Sequence, residues 1–159
     1  MKLLISSCLL GKPVRYDGGS KRIDGIELLS RYHELYPVCP EVLGGLAIPR
    51  ESAEISGIAR DILQGRDGSV LTNTGVDVTE SFLEGAGKTL AYCQEMGITG
   101  AILTDHSPSC GSTMIYDGTH TGRKIPGMGL TACLLRENGI RLFTETTWKQ
   151  LLPEDCDFL

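Results

Sequence analysis

Lys2-Leu3-Leu4-Ile5-Ser6, followed by Ser7-Cys8, is a short apolar run that ends in small residues. Its length suits a strand, and its apolar character suits burial. A secretory leader would need a longer apolar core and a small-residue cleavage site. Here Gly11, Lys12 and Pro13 follow at once. The start of the chain therefore reads as a buried first strand of a cytoplasmic protein.

Further runs repeat the pattern along the chain. Leu35–Val38 reads as a second strand, although Pro37 within it cannot donate a ladder hydrogen bond. Ala101–Leu103 centres a third strand and Ile140–Phe143 a fourth. Helical spacing appears over Asp24–Tyr32, Gly129–Glu137 and Thr147–Leu152. Asp77, with Glu80 three residues on, has a capping-box pattern. The helix it opens runs to about Met96, where Gly97 offers a stop. Ile62–Thr72, interrupted at Gly65-Arg66-Asp67-Gly68, reads as a β-hairpin. Gly11–Gly19 and Glu41–Pro49 read as loops, and Leu159 ends an acidic tail. Strand and helix alternate, which predicts an α/β fold with a mainly parallel sheet, in the order 2-1-3-4, plus a hairpin insertion.

A chain of 159 residues suggests a single domain over 1–159. Its net charge of −5 argues against a broad nucleic-acid surface. No apolar run approaches the ~20 residues of a membrane helix. A small-molecule partner fits this balance.

Six cysteines remain to be explained. No Cys-x-x-Cys pair occurs, so zinc ribbons and thioredoxin-like sites fit poorly. Cys93 and Cys133 share helical faces with apolar residues and read as core. Cys156, in the acidic tail, has no assigned role. Cys8, Cys39 and Cys110 differ, because each lies just after an expected parallel strand. Ligands of open α/β sheets bind beyond those strand ends. The alternative is three unrelated cysteines serving turns or packing. Chemistry favours a shared site: a cubane iron–sulfur cluster is held by thiolates, and three protein ligands leave one iron open.

The segments Cys8-Leu9-Leu10-Gly11, Val14-Arg15-Tyr16-Asp17-Gly18, Pro37-Val38-Cys39-Pro40-Glu41-Val42-Leu43-Gly44-Gly45-Leu46 and Ser107-Pro108-Ser109-Cys110-Gly111 resemble the thiouracil desulfidase family. Ile115-Tyr116-Asp117-Gly118 and Gly127-Met128-Gly129 extend the resemblance over nearly the whole chain. It implies a three-layer, Rossmann-like domain and a [4Fe–4S] cluster on Cys8, Cys39 and Cys110. It also implies non-redox desulfuration of a thiolated pyrimidine base, its sulfur bound by the open iron and released as hydrogen sulfide. Glu41 and Ser107 or Ser109 would be the catalytic acid/base residues. Arg15, Tyr16 and Asp17 are the candidate substrate contacts. Thr104-Asp105-His106 departs from the lysine-containing run of the family, which bears on the substrate's identity.

Each of these residues has a plainer reading. Glu41 could cap a helix or pair with Arg50; Ser107 and Ser109 could form a turn around Pro108; Arg15 and Asp17 could be turn and surface residues. The Tyr16-Asp17-Gly18 and Tyr116-Asp117-Gly118 triplets are either a chance echo or two similar loops flanking one site. The rival functions are a sulfurtransferase acting on a nucleobase, and a zinc-binding module made by the three cysteines with His106. Gly87-Lys88-Thr89 is a decoy: a phosphate-binding loop needs glycine where Phe82 stands.

Overall fold

Parallel pairing of short buried strands organises the computed structural model, which describes residues 1–156; the end of the acidic tail, with Leu159, lies outside the described residues. In chain order the elements are β1 (Lys2–Ser6), β2 (Glu34–Val38), α1 (Pro40–Leu43), β3 (Ala53–Ser56), α2 (Ala59–Leu63), β4 (Ser69–Thr72), α3 (Thr79–Met96), β5 (Gly100–Ile102), β6 (Met114–Tyr116), β7 (Lys124–Pro126), α4 (Leu130–Glu137) and β8 (Arg141–Phe143). Short 3₁₀ turns occupy Ser7–Leu10, Ile26–Arg31 and Trp148–Leu151.

The central sheet has the order β2-β1-β5-β8, and every pairing in it is parallel. This is the 2-1-3-4 arrangement of the four strands expected from sequence. Pro37 is tolerated because β2 is an edge strand. Side chains of β1 alternate between two cores. Leu3 and Ile5 pack with Ile26, Leu29 and Trp148, whereas Leu4 packs with Cys93, Ala132 and Leu135 from α3 and α4. The sheet is thus covered on both faces, as parallel sheets require. Cys93 and Cys133 are buried core residues. Among the described residues no helix is long and apolar enough to cross a membrane.

Several sequence expectations need correction. The short helices expected over Asp24–Tyr32 and Thr147–Leu152 are the 3₁₀ segments Ile26–Arg31 and Trp148–Leu151. Pro40 opens the short helix α1 inside what reads as a loop, its missing N–H costing nothing at that position. The antiparallel hairpin exists, but it pairs β3 with β4, not the two halves of Ile62–Thr72. Ile62 belongs to α2, where it and Ala59 are buried against Phe82 and Leu130. Gly65 then ends that helix in a left-handed conformation, with Arg66 N–H donating to Asp61 O and Gly65 N–H to Ile62 O. That pair of bonds is a Schellman stop, so the glycine closes a helix instead of turning a hairpin. At the start of α3, Asp77 Oδ1 accepts the Thr79 N–H at 2.9 Å, two residues on rather than three. The antiparallel pair β6–β7 has strands of three residues, too short to show a period.

The decoy triplet lies within α3, and Thr89 donates its hydroxyl proton to Gly85 O at 2.7 Å. Gly85 has a stricter task. A Cβ there would lie 2.1 Å from Pro40 O, and one on Gly44 would lie 2.0 Å from Ser81 O. The helices α1 and α3 therefore cross backbone to backbone. Because a main-chain carbonyl cannot swing aside, Gly85→Ala is expected to cost at least the upper end of the ~1–3 kcal/mol typical of overpacking. Chemical denaturation checks the loss. Displacement of α1 should also change the accessibility of the Cys39 thiol to alkylation.

Candidate metal centre and active site

The 3₁₀ turn after β1 carries Cys8, the N-cap of α1 after β2 carries Cys39, and the Thr104–Gly111 loop after β5 carries Cys110. Because β1 lies between β2 and β5, all three thiols emerge at one end of adjacent strands. They line a single cavity of about 260 Å³ with Ser6, Arg15, Tyr16, Glu41, Arg50, Glu54, Ser107 and Tyr116. A water needs ~10–15 Å³ by this measure, so the cavity admits far more than one ion.

The Cys110 loop is held by three sets of bonds. Asp105 Oδ1 accepts the main-chain N–H groups of His106, Ser112 and Thr113, and its Oδ2 accepts the Thr113 hydroxyl. Ser107 Oγ accepts from the Ser109 and Cys110 N–H groups at 3.2 and 2.7 Å. The first amides of α4 close the other side: Gly129, Leu130 and Ala132 donate to Gly111 O, Pro108 O and Ser109 O. Gly129 is required there, since a Cβ would lie 2.5 Å from the Ser109 carbonyl.

Burial works against the Asp105 carboxylate, but the bonds from Thr113, His106 and Ser112 outweigh it and hold its pKa below the usual value. A depressed folded pKa gives stability that is complete above the unfolded value of ~3.9 and lost as pH falls through the folded one. Asp105→Ala is therefore expected to cost about 1.5–3 kcal/mol near neutrality. The gap to the unaltered protein should close below about pH 4, which denaturation across pH will show.

Burial in the cavity favours protonated thiols. Burial first, then the neighbouring Cys39, pushes Cys8 up to about 11. Burial also raises Cys39, against main-chain N–H bonds from Val42 and Glu41. Cys110 is pushed up by burial and by Cys39 and Glu41, with a hydroxyl bond from Ser6 opposing. Cys39 thus raises both Cys8 and Cys110, in keeping with the cavity that all three thiols line. Bound metal would replace their protons.

Glu41 stands two residues beyond Cys39. Burial raises its pKa, and Arg50 opposes that rise. The pair is close, Arg50 Nε to Glu41 Oε1 at 3.4 Å, with the two side chains 9% and 17% exposed. Arg50 also donates to Val14 O at 3.1 Å and Ala47 O at 3.0 Å. Its own N–H donates to Tyr16 O.

The structure brings together Cys8, Cys39, Cys110, Glu41, Ser107, Arg15 and Tyr16. It does not bring Ser109 or Asp17 to the cavity wall. Ser109 is buried, its hydroxyl 2.8 Å from that of Thr131. Asp17 Oδ1 accepts the Gly19 N–H and shapes a turn. Asp117 does the same for Thr119 N–H, and both Tyr16 and Tyr116 line the cavity, so the echoed triplets are two similar turns at one site. Sequence reasoning missed Ser6, Lys21 and Glu54 in the wall. Ser6 adjoins the first thiol motif, whereas Lys21 and Glu54 had no local signal.

The donor set fits a cubane. Three thiols from three separate loops suit a body with several metal corners. Among the described residues, no three His, Cys, Asp or Glu side chains are arranged around a single ion. His106 has its Nε2 3.8 Å from Asp105 Oδ2.

Comparisons with known proteins agree with this geometry. The chain is 44% identical over 151 residues to the uncharacterized protein YbbK of Bacillus subtilis (strain 168), covering 94% of this chain and 99% of that one. It is similar to a solved structure described as the [4Fe–4S]-dependent thiouracil desulfidase TudS, with 42% identity, a TM-score of 0.82 and 94% of each chain covered. Residues 3–147 match the 2-thiouracil desulfurase family, and the chain belongs to that family.

Proposed function

We propose that this chain is a [4Fe–4S]-dependent desulfidase. It removes sulfur from a thiolated pyrimidine of the 2-thiouracil type without net oxidation or reduction, on a single Rossmann-like domain in the cytoplasm. One observation carries the reading: three thiols at the ends of three neighbouring strands line one cavity with a buried carboxylate. The likeness to the desulfidase TudS supports it.

Cys8, Cys39 and Cys110 would hold the cluster, which when bound supplies an iron with a free coordination position, a soft Lewis acid suited to a thiocarbonyl. The chain's own residues do the rest. Arg50 orients Glu41 in the cavity wall. Glu41 takes a proton from the water that attacks the sulfur-bearing carbon. Ser107 accepts two main-chain bonds through its oxygen, which leaves its own proton to orient that water. Val14, Val38 and Pro40 add apolar surface to the wall. The balance is one water consumed, one carbonyl formed and one hydrogen sulfide released, so no external oxidant or reductant is required.

Anaerobic reconstitution is expected to give a brown protein with broad absorption near ~400 nm. It should convert 2-thiouracil to uracil with equimolar sulfide. Cys110→Ala should lose both the absorption and the sulfide release. A fully loaded protein that released no sulfide from any thiolated pyrimidine would sink the reading.

A further inference from the structure

Glu54 lies on β3, away from the three thiol-bearing loops in sequence, yet lines the same cavity. Its two oxygens have different surroundings. Oε1 accepts main-chain N–H bonds from Gly118 at 2.9 Å and His120 at 3.2 Å. Oε2 receives no hydrogen bond among the described residues; His120 Nδ1 is 3.5 Å away, buried and without a hydrogen-bond partner. The side chain is only 12% exposed. The turn that grips Oε1 is itself pressed against β3, since a Cβ on Gly118 would lie 2.7 Å from Ile55 O. The same turn presents Tyr116 to the cavity. One carboxylate oxygen is thus fixed by main chain, while the other accepts no hydrogen bond among the described residues and has only the His120 ring, at 3.5 Å, beside it.

We infer that Glu54 is a specificity-determining residue that accepts the ring N–H of the thiolated base, an inference that rests on the function proposed above. An ionised carboxylate only accepts hydrogen bonds. A thiolated pyrimidine presents ring N–H donors beside its thiocarbonyl, and replacing such an N–H by N-methyl removes the donor. A site built around a substrate N–H rejects analogues that lack it, because its buried polar group is left unpaired. Glu54 therefore selects bases with a free ring N–H, while the thiol-bearing end of the cavity handles the sulfur.

The test uses the anaerobically reconstituted protein and its Glu54→Gln variant. Glutamine keeps an oxygen for the Gly118 and His120 amides and puts an N–H donor where the second acceptor stood. Sulfide release is measured with 2-thiouracil and with its 1-methyl and 3-methyl derivatives. Binding of uracil and the matching N-methyluracils is measured by calorimetry. The unaltered protein should disfavour at least one methyl derivative by about 100-fold in kcat/KM, carried mainly by KM. Glu54→Gln should lower kcat/KM for 2-thiouracil by about 10–100-fold and shrink that discrimination to under about tenfold. The uracil series should show the same collapse in Kd. Equal acceptance of all three bases by the unaltered protein would overturn the inference, as would an unchanged discrimination ratio in a Glu54→Gln protein of unchanged Tm. Glu54-dependent uracil binding without sulfide release would instead refute the desulfidase reading and leave the N–H acceptor standing.

Discussion

Replacing Arg50 with methionine is expected to destabilise the fold by about 3–5 kcal/mol, the penalty for removing one partner of a buried ion pair. Methionine fills a similar volume but leaves the Glu41 carboxylate without its counter-charge in a wall that water scarcely reaches. It also removes the Arg50 donor from the Ala47 and Val14 carbonyls, leaving Val14 O only the Cys39 thiol at 3.9 Å. A small protein has only about 5–15 kcal/mol of net stability, so the variant should melt roughly 10 °C lower or more. Arg50→Lys should recover part of the loss, because an ammonium restores charge but cannot reproduce the guanidinium fork that reaches several acceptors. A melting temperature unchanged in Arg50→Met would show that the pair contributes little.

Glu41→Gln is expected to reduce kcat by about 10²–10⁴-fold, the usual range for removal of a positioned general base. Glutamine keeps the size and can still meet Arg50, so iron content and the absorption spectrum should match those of the unaltered protein. KM should change far less than kcat, since the role proposed for the carboxylate is toward the water rather than the ring. Full activity in a normally loaded Glu41→Gln protein would remove Glu41 from the reaction.

The central sheet was legible because its strands are buried on both faces, and continuous apolar runs such as Leu3-Leu4-Ile5 mark that setting. The convergence of the thiol loops followed from the expected strand order, which puts the first strand at the centre. The α2 region was misread because Gly65-Arg66-Asp67-Gly68 suits either a hairpin turn or a helix stop. What decides is the burial of Ile62 against Phe82 and Leu130, a long-range fact. The thiol trio and Glu41 were visible as sequence motifs. Ser109 and Asp17 belong to the same motifs, but neighbours decide where they point: Thr131 on α4 claims the first and Gly19 the second. Glu54 was invisible, because its position depends on a turn more than sixty residues further along the chain.

The gathering of three thiols from adjacent strands also fixes an order of events in maturation. Cys8 and Cys110 are separated by about two-thirds of the chain, so their meeting is a late, non-local step of folding. A nascent N-terminal half offers Cys8 and Cys39 but lacks β5 and the loop that follows it. On the proposed function, iron and sulfide delivery is expected to need the folded chain rather than a growing peptide. A protein stripped of its iron is then expected to take it up again without being made anew, and metal supplied before and after refolding separates the two routes.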